Sequence, residues 1–245
     1  MDWLAAILSA VIGYLMGSVS FARVITRLVK PLADISKIEE LVPGSQVTFT
    51  SDSISATAVR VHVGTRYGVL TALLDMAKVF IPVLVLRLWQ PEQPYFLIAA
   101  ITGLLGHDFP LYWKFKGGRG ESPIIGGLLA IDPIGLILMN VAGAGLGLLI
   151  GHLLILRWGG LILLIPWFWL TTQDPWYVGY IILANVVYWA SMSPELSQYA
   201  RLLKTDIDPS QEEIARFMGM GLGLGRFMDR YSLMGWLNRR KNLSD

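Results

Sequence analysis

Three cations, Lys114, Lys116 and Arg119, fall within one short stretch and are interleaved with Gly117, Gly118 and Gly120. Glycine lets backbone N–H groups come close to a ligand, and the cations add full charge beside those partial ones. Ser122-Pro123 follows as an N-cap and a first helical residue would, so the helix it opens aims its positive end at the glycines. The chemistry such a stretch can do is anion binding, phosphate above all. The alternative is a tight basic loop between two membrane spans, whose cations report only its side of the bilayer. Asp75 and Lys78 form a second candidate, three residues apart in an apolar run and so on one helix face. Ionisable residues inside a membrane face the protein interior or a wet cavity, where they mark function or lock helix packing as an ion pair. His107 ends an apolar segment beside the glycine stretch, where it either orients that stretch or satisfies a carbonyl. Ser18 ends another, placed to reach a ligand oxygen or to bond back one turn to its own helix. His152 and Asn185 read as hydrogen-bonded structural groups within spans.

The elements that must position these residues are membrane helices. The 245 residues are 54% hydrophobic and only 16% charged, with mean hydropathy +0.54; soluble domains carry about 25% charged residues. A span needs roughly 20 apolar residues to cross a core about 30 Å thick. Such runs cover Trp3–Ala22, Tyr67–Leu88, Tyr95–Trp113 and Ile134–Leu156. A short helix runs from Ser122 to Asp132-Pro133, and Gly159-Gly160 reads as a break before 161–171 and 176–192. The expected fold is therefore an all-α integral membrane protein of about seven transmembrane helices, two of them short. The segment between the first two spans, 31–66, reads as a polar loop.

Lysine and arginine orient the spans. Of the 20, Lys78 lies within a span and Arg87 near the outer surface, and the remaining 18 fall on one side if the first loop is cytoplasmic. Positive loops face the cytoplasm, so the N-terminus is expected outside and the basic glycine stretch inside. Residues 1–204 are expected to form the membrane domain and 205–245 a cytoplasmic amphipathic tail. In that tail Phe227, Met228, Tyr231, Met234, Trp236 and Leu237 alternate with Arg226, Arg230, Arg239, Arg240 and Lys241, as in a helix lying on anionic lipid; the alternative is a disordered or protein-binding tail. Asp208–Glu213 reads as a helix start and Gly219–Gly225 as a joint. Topology accounts for the basic residues, so nucleic acid is not an expected partner. The chain has no cysteine, which excludes disulfides and thiolate chemistry, and His62, His107 and His152 lack metal-ligand spacing. The apolar N-terminus has no basic n-region and reads as a retained span.

Gly106, His107, Phe109, Pro110, Phe115, Lys116, Gly117, Gly118 and Gly120 together resemble a signature of the bacterial acyl-phosphate:glycerol-3-phosphate acyltransferases, G-H-x-F-P-x-x-x-x-F-K-G-G-K-G. Arg119 stands where that family has lysine, and Glu121-Ser122-Pro123 where it has V-A-T. Gly68 to Lys78 is similar to the family's G-x-x-x-x-x-L-D-x-x-K, and Gly17-Ser18-Val19-Ser20-Phe21 to its G-S-I-P-F. Ala58 occupies the place of an asparagine. In the third signature Gln198, Arg201 and Leu202 fit H-x-x-N-I-x-R-L loosely, and Glu195 takes the place of the histidine. The resemblance implies a seven-helix enzyme of phospholipid synthesis in the inner (plasma) membrane, its active face cytoplasmic. It would transfer a fatty acyl group from acyl phosphate to glycerol 3-phosphate and yield lysophosphatidic acid, with no cofactor or metal. A partner enzyme would supply the acyl phosphate. The implied catalytic residues are Ser18, Lys78, His107 and Gln198; the implied phosphate-binding residues are Lys116, Gly117, Gly118, Arg119, Gly120, Ser122 and Arg201. The departures leave open a relative with another acceptor or donor and a catalytically silent scaffold; a small transporter is a third alternative, disfavoured because the sequence shows no paired broken helices or internal repeat.

Overall fold

The first apolar run is capped by Asp2, whose side chain accepts from the Leu4 amide at the start of helix α1, Trp3–Ser18. It does not continue to Ala22 as one helix. The Ser18 hydroxyl donates back to the Tyr14 carbonyl at 2.8 Å, the chain extends through Val19 and Ser20, and α2 then covers Phe21–Val29. Serine bonding back in this way bends helices. In an unbroken helix the Val19 carbonyl would accept from the Arg23 amide four residues on; the break leaves it for another donor.

The computed structural model describes residues 1–41, 48–202 and 224–241. The expected polar loop is not purely loop. Ile38–Leu41 (β1) and Thr48–Ser51 (β2) pair as a two-stranded sheet, so the fold is not entirely α. Threonine and phenylalanine, which favour strands, supply most of β2. Helix α3, Ala56–His62, follows, and Ile35, Ile38, Ile54, Ala58 and Val59 close an apolar cluster with Ala22 and Ile25 of α2.

Helix α4 is Thr65–Trp89 and α5 is Tyr95–Asp108. The third span was expected to reach Trp113, but α5 ends at Asp108 because Phe109 precedes Pro110 and that position disfavours helical backbone. A single 3-10 turn, Leu111–Trp113, leads into the glycine stretch. Then come α6 (Glu121–Ile131), α7 (Pro133–Ile150), α8 (Leu153–Thr172) and α9 (Pro175–Leu202). The tail contains α10 (Leu224–Tyr231) and α11 (Leu233–Lys241). The helix start expected at Asp208–Glu213 and most of the Gly219–Gly225 joint lie outside the described residues. Among the described residues, 4 segments are long and apolar enough to cross a bilayer: Trp3–Val29, Thr65–Trp89, Pro133–Ile150 and Leu153–Thr172.

The described chain forms two units. One holds Met1–Ile38, Thr50–Pro133 and Phe168–Pro194; the other holds Glu39–Phe49, Ile134–Trp167 and Glu195–Asp245. Both are built on small residues, because lipid offers helices no hydrophobic reason to associate and close backbone contact must serve instead. In the first unit, Gly13 and Gly17 of α1 lie against Ala99 and Gly103 of α5, while Gly106 lies against the Tyr14 carbonyl. A Cβ at Gly17 would overlap the Gly103 carbonyl. In the second unit, Gly143 of α7 meets Gly160 of α8, and Gly147 meets Leu156. Gly159-Gly160 is therefore a packing surface inside α8 and not the expected break. The break falls at Gly151, whose φ of +90° only glycine adopts without strain.

Gly17→Ala is expected to cost about 1–3 kcal/mol by forcing α1 and α5 apart. Gly145, with nothing within 4 Å of a Cβ, is the matched control. Gly145→Ala should be neutral or stabilising, by up to about 1 kcal/mol. Thermal unfolding of the two variants in detergent checks both.

Candidate active site

Lys78 stands on the α4 face that packs towards α1 and α5, beside Asp75 one turn back. Its ammonium donates to the Val19 carbonyl at 2.6 Å and to His107 Nδ1 at 2.9 Å, and it lies 2.8 Å from Asp75 Oδ1. All three side chains are buried: Asp75 is 2% exposed, Lys78 3% and His107 8%. A lysine ammonium carries three donors and no acceptor; two hydrogen bonds go to Val19 and His107, and the Asp75 carboxylate balances the charge. The carbonyl released by the break between α1 and α2 is thus where Lys78 is anchored. Because the ammonium has no lone pair, His107 Nδ1 must accept, which assigns the ring proton to Nε2. That edge faces Gly118, where a Cβ would overlap Nε2.

The glycine stretch wraps the end of α5. Gly117 lies against the His107 carbonyl, and the Gly118 amide donates to that carbonyl at 3.2 Å. The Gly117 carbonyl in turn accepts from the Ile54 amide at 3.0 Å. Arg23 donates to the Lys116 carbonyl at 2.7 Å, and the guanidiniums of Arg23 and Arg27 lie 4.8 and 4.9 Å from the centre of the Trp113 ring. Tyr14 donates its hydroxyl to the Phe109 carbonyl at 2.8 Å. Ser18, fully buried, donates to its own helix and accepts from the Leu111 amide at 3.3 Å. Its hydroxyl ties α1 to the loop.

Gly120 begins α6 as its N-cap with φ +79°, so Glu121 is the first helical residue and Pro123 the third. Ser122 was expected to be the cap. Proline is tolerated at the third position because the first N–H groups of a helix have no intrahelical partner to lose. Lys114 and Lys116 are exposed at the rim. Arg119 is 20% exposed and pairs at 2.6 Å with Asp52, which is 82% exposed. Gln198 lies on α9 beyond Pro194, in the second unit. The backbone of Arg201 is helical and its side chain lies outside the described residues. No group of three or more potential metal ligands occurs among the described residues.

Asp108, next to His107 at the end of α5, belongs to this assembly. It is 4% exposed, and its Oδ2 accepts from the Ser191 hydroxyl of α9 at 2.5 Å. Its carboxylate faces Gly120, where a Cβ would come within 3.1 Å of Oδ1. Nothing in residue order ties Arg23 and Arg27, one turn apart on α2, to Trp113 at the end of the 3-10 turn.

The fold and site define a helical membrane protein that buries a lysine-centred ion pair beneath a glycine loop rimmed with cations. Residues 7–201 match the family model for glycerol-3-phosphate acyltransferase, and the chain belongs to that family. A glycerol-3-phosphate acyltransferase of Cereibacter sphaeroides is 41% identical over 147 residues, covering 58% of this chain and 66% of the relative. One from Coxiella burnetii is 32% identical over 130 residues, covering 53% and 61%. The matched segments thus span less than two thirds of those relatives. Two crystal structures of PlsY (YgiH), an integral membrane glycerol 3-phosphate acyltransferase, share the fold. The lysophosphatidic acid form gives a TM-score of 0.63 at 22% identity, covering 80% of this chain and 92% of that one. The glycerol 3-phosphate form gives 0.64 at 21%, covering 83% and 96%.

Removing one partner of a buried ion pair strands the other, at a cost of about 3–5 kcal/mol. Lys78→Met should therefore destabilise the protein by that order, and adding Asp75→Asn should recover most of the loss. Thermal unfolding of the two single variants and the double variant closes the cycle. An undiminished loss in the double variant would show that packing, not charge, sets the value of the cluster.

Proposed function

We propose that this protein transfers a fatty acyl group from acyl phosphate to the first hydroxyl of glycerol 3-phosphate, giving lysophosphatidic acid and inorganic phosphate. The reading rests on family membership and above all on one observation: the glycine loop, with Lys116 and Arg119 at its rim, is built directly on the buried Lys78–Asp75–His107 cluster. The glycerol 3-phosphate and lysophosphatidic acid forms of PlsY, which match the proposed acceptor and product, support it. The acceptor oxygen attacks the acyl carbonyl carbon, the bond from that carbon to the phosphate oxygen breaks, and the hydroxyl proton leaves with the phosphate. An acyl phosphate carries a good leaving group, so positioning and charge neutralisation do most of what is required. In this reading a phosphate takes the place of exposed Asp52 on Arg119, and Lys116 neutralises it further. Lys78 holds the Val19 carbonyl and His107 in place beneath it, and Ser18 fixes the loop through the Leu111 amide. Gln198 and Arg201 have no part beyond their match to the third signature. The site faces the cytoplasm of a plasma-membrane protein whose N-terminus is outside.

One observation favours a different acceptor as the second reading. Ala58, where the family has asparagine, is completely buried among Ala22, Ile25 and Val59, so that position offers a ligand nothing polar.

Purified protein with acyl phosphate and labelled glycerol 3-phosphate should form labelled lysophosphatidic acid and release phosphate. Arg119→Ala or Lys116→Ala should lower kcat/KM about tenfold or more, because a hydrogen bond to a charged group is worth about 1.5–3 kcal/mol. Arg119→Lys should be milder. Phosphate release with other polyol phosphates but not with glycerol 3-phosphate would select the second reading, and release with neither would overturn both. A cysteine at Lys114 should resist an impermeant reagent added outside intact cells; labelling there would reverse the topology.

A further inference from the structure

We propose that α10 and α11 form a membrane-surface anchor that seats the tail on anionic phospholipid. The family match ends at residue 201, before these helices begin. Their position relative to the bilayer follows from the turn on which they rest. Helices α7 and α8 are both long and apolar enough to span, so the Gly151-His152 turn between them lies at a membrane face. Ser232, which joins α10 to α11, packs on that turn: a Cβ at Gly151 would overlap the Ser232 hydroxyl and come within 3.1 Å of Met234 Cβ. Ser232 also caps α11, accepting from the Gly235 amide at 3.1 Å. Met228, Ser232 and Gly235 form the buried side of the joint.

What the helices leave uncovered is apolar and aromatic. Phe227 is 50% exposed, Tyr231 65%, Leu233 56%, Trp236 44% and Leu237 46%. Phe227 and Tyr231 are one turn apart with ring centres 4.9 Å from each other, and Leu233, Trp236 and Leu237 share one face of α11. Residues 224–241 also carry Arg226, Arg230, Arg239, Arg240 and Lys241 against the single acid Asp229. Tryptophan, tyrosine and leucine beside a cationic excess, held at the level of the membrane face, match the boundary between anionic headgroups and acyl chains. An acidic protein partner would match the charge, but nothing would then hold it at the depth of the α7–α8 turn.

The full chain offers a clean test because it has no native cysteine. A bimane label at Leu237→Cys, in nanodiscs whose lipids carry brominated acyl chains, should be quenched. Quenching should be about twofold or more stronger with phosphatidylglycerol present than in phosphatidylcholine alone. Replacing Arg239, Arg240 and Lys241 together by glutamine should abolish that difference, and Gly151→Ala should weaken quenching in both lipids. Absence of quenching in either lipid would overturn the anchor, whatever the protein's enzymatic activity. Disulfide cross-linking between Leu237→Cys copies without quenching would also overturn it, in favour of a contact between chains.

Discussion

A single ammonium group, that of Lys78, gathers the parts on which the site is built. Through it α4 holds a carbonyl at the α1–α2 break, a carboxylate on its own face and a ring at the end of α5. None of these contacts is optional for the lysine: buried, it must have partners for all of its donors or lose its charge. The partners are therefore selected by the burial of the charge. The break in the first helix is part of this solution, since it frees the Val19 carbonyl from its helical partner. The carbonyl lost to the helix at Val19 is the one the lysine uses.

Close backbone approach is the second constraint, and it works at two scales. Between α1 and α5 it joins helices that lipid gives no reason to associate. At Gly117, Gly118 and Gly120 it folds the loop onto the His107 carbonyl, the His107 ring and the Asp108 carboxylate in turn. These glycines are needed by the protein's own packing before any ligand is considered, and the Gly118 amide is already engaged by the His107 carbonyl. The cations at the rim are what the loop presents outward.

Much of this was legible in residue order. The apolar runs at 67–88 and 134–156 correspond to α4 and to α7, which ends earlier, at Ile150, and the Asp75–Lys78 pairing follows from its spacing. The Gly159-Gly160 pair was misread because glycine signals both breaks and close packing, and only the partner helix, with Gly143 facing it, distinguishes the two. The N-cap of α6 was misplaced by two residues because Ser-Pro is a strong local signal, whereas Gly120 is favoured by its left-handed φ and by Leu104 and Asp108, which leave no room for a Cβ. The Asp108–Ser191 bond joins residues far apart in the chain, and nothing in either neighbourhood points to the other.

The pairing of Lys78 with Asp75 also divides the labour between long-range and short-range forces. A buried pair of opposite charges nearly cancels when viewed from outside, so the deepest cation of the site attracts nothing from solution. In the proposed reading, long-range capture of an anion falls to Lys114, Lys116 and Arg119; the exposed charges of the two lysines act across about one Debye length and fade as salt is added. In the same reading the steps after capture depend on the buried Lys78–Asp75–His107 cluster, which salt screens little. The first step of recognition is thus tuned by the composition of the surrounding medium, and the later ones by the geometry of the fold.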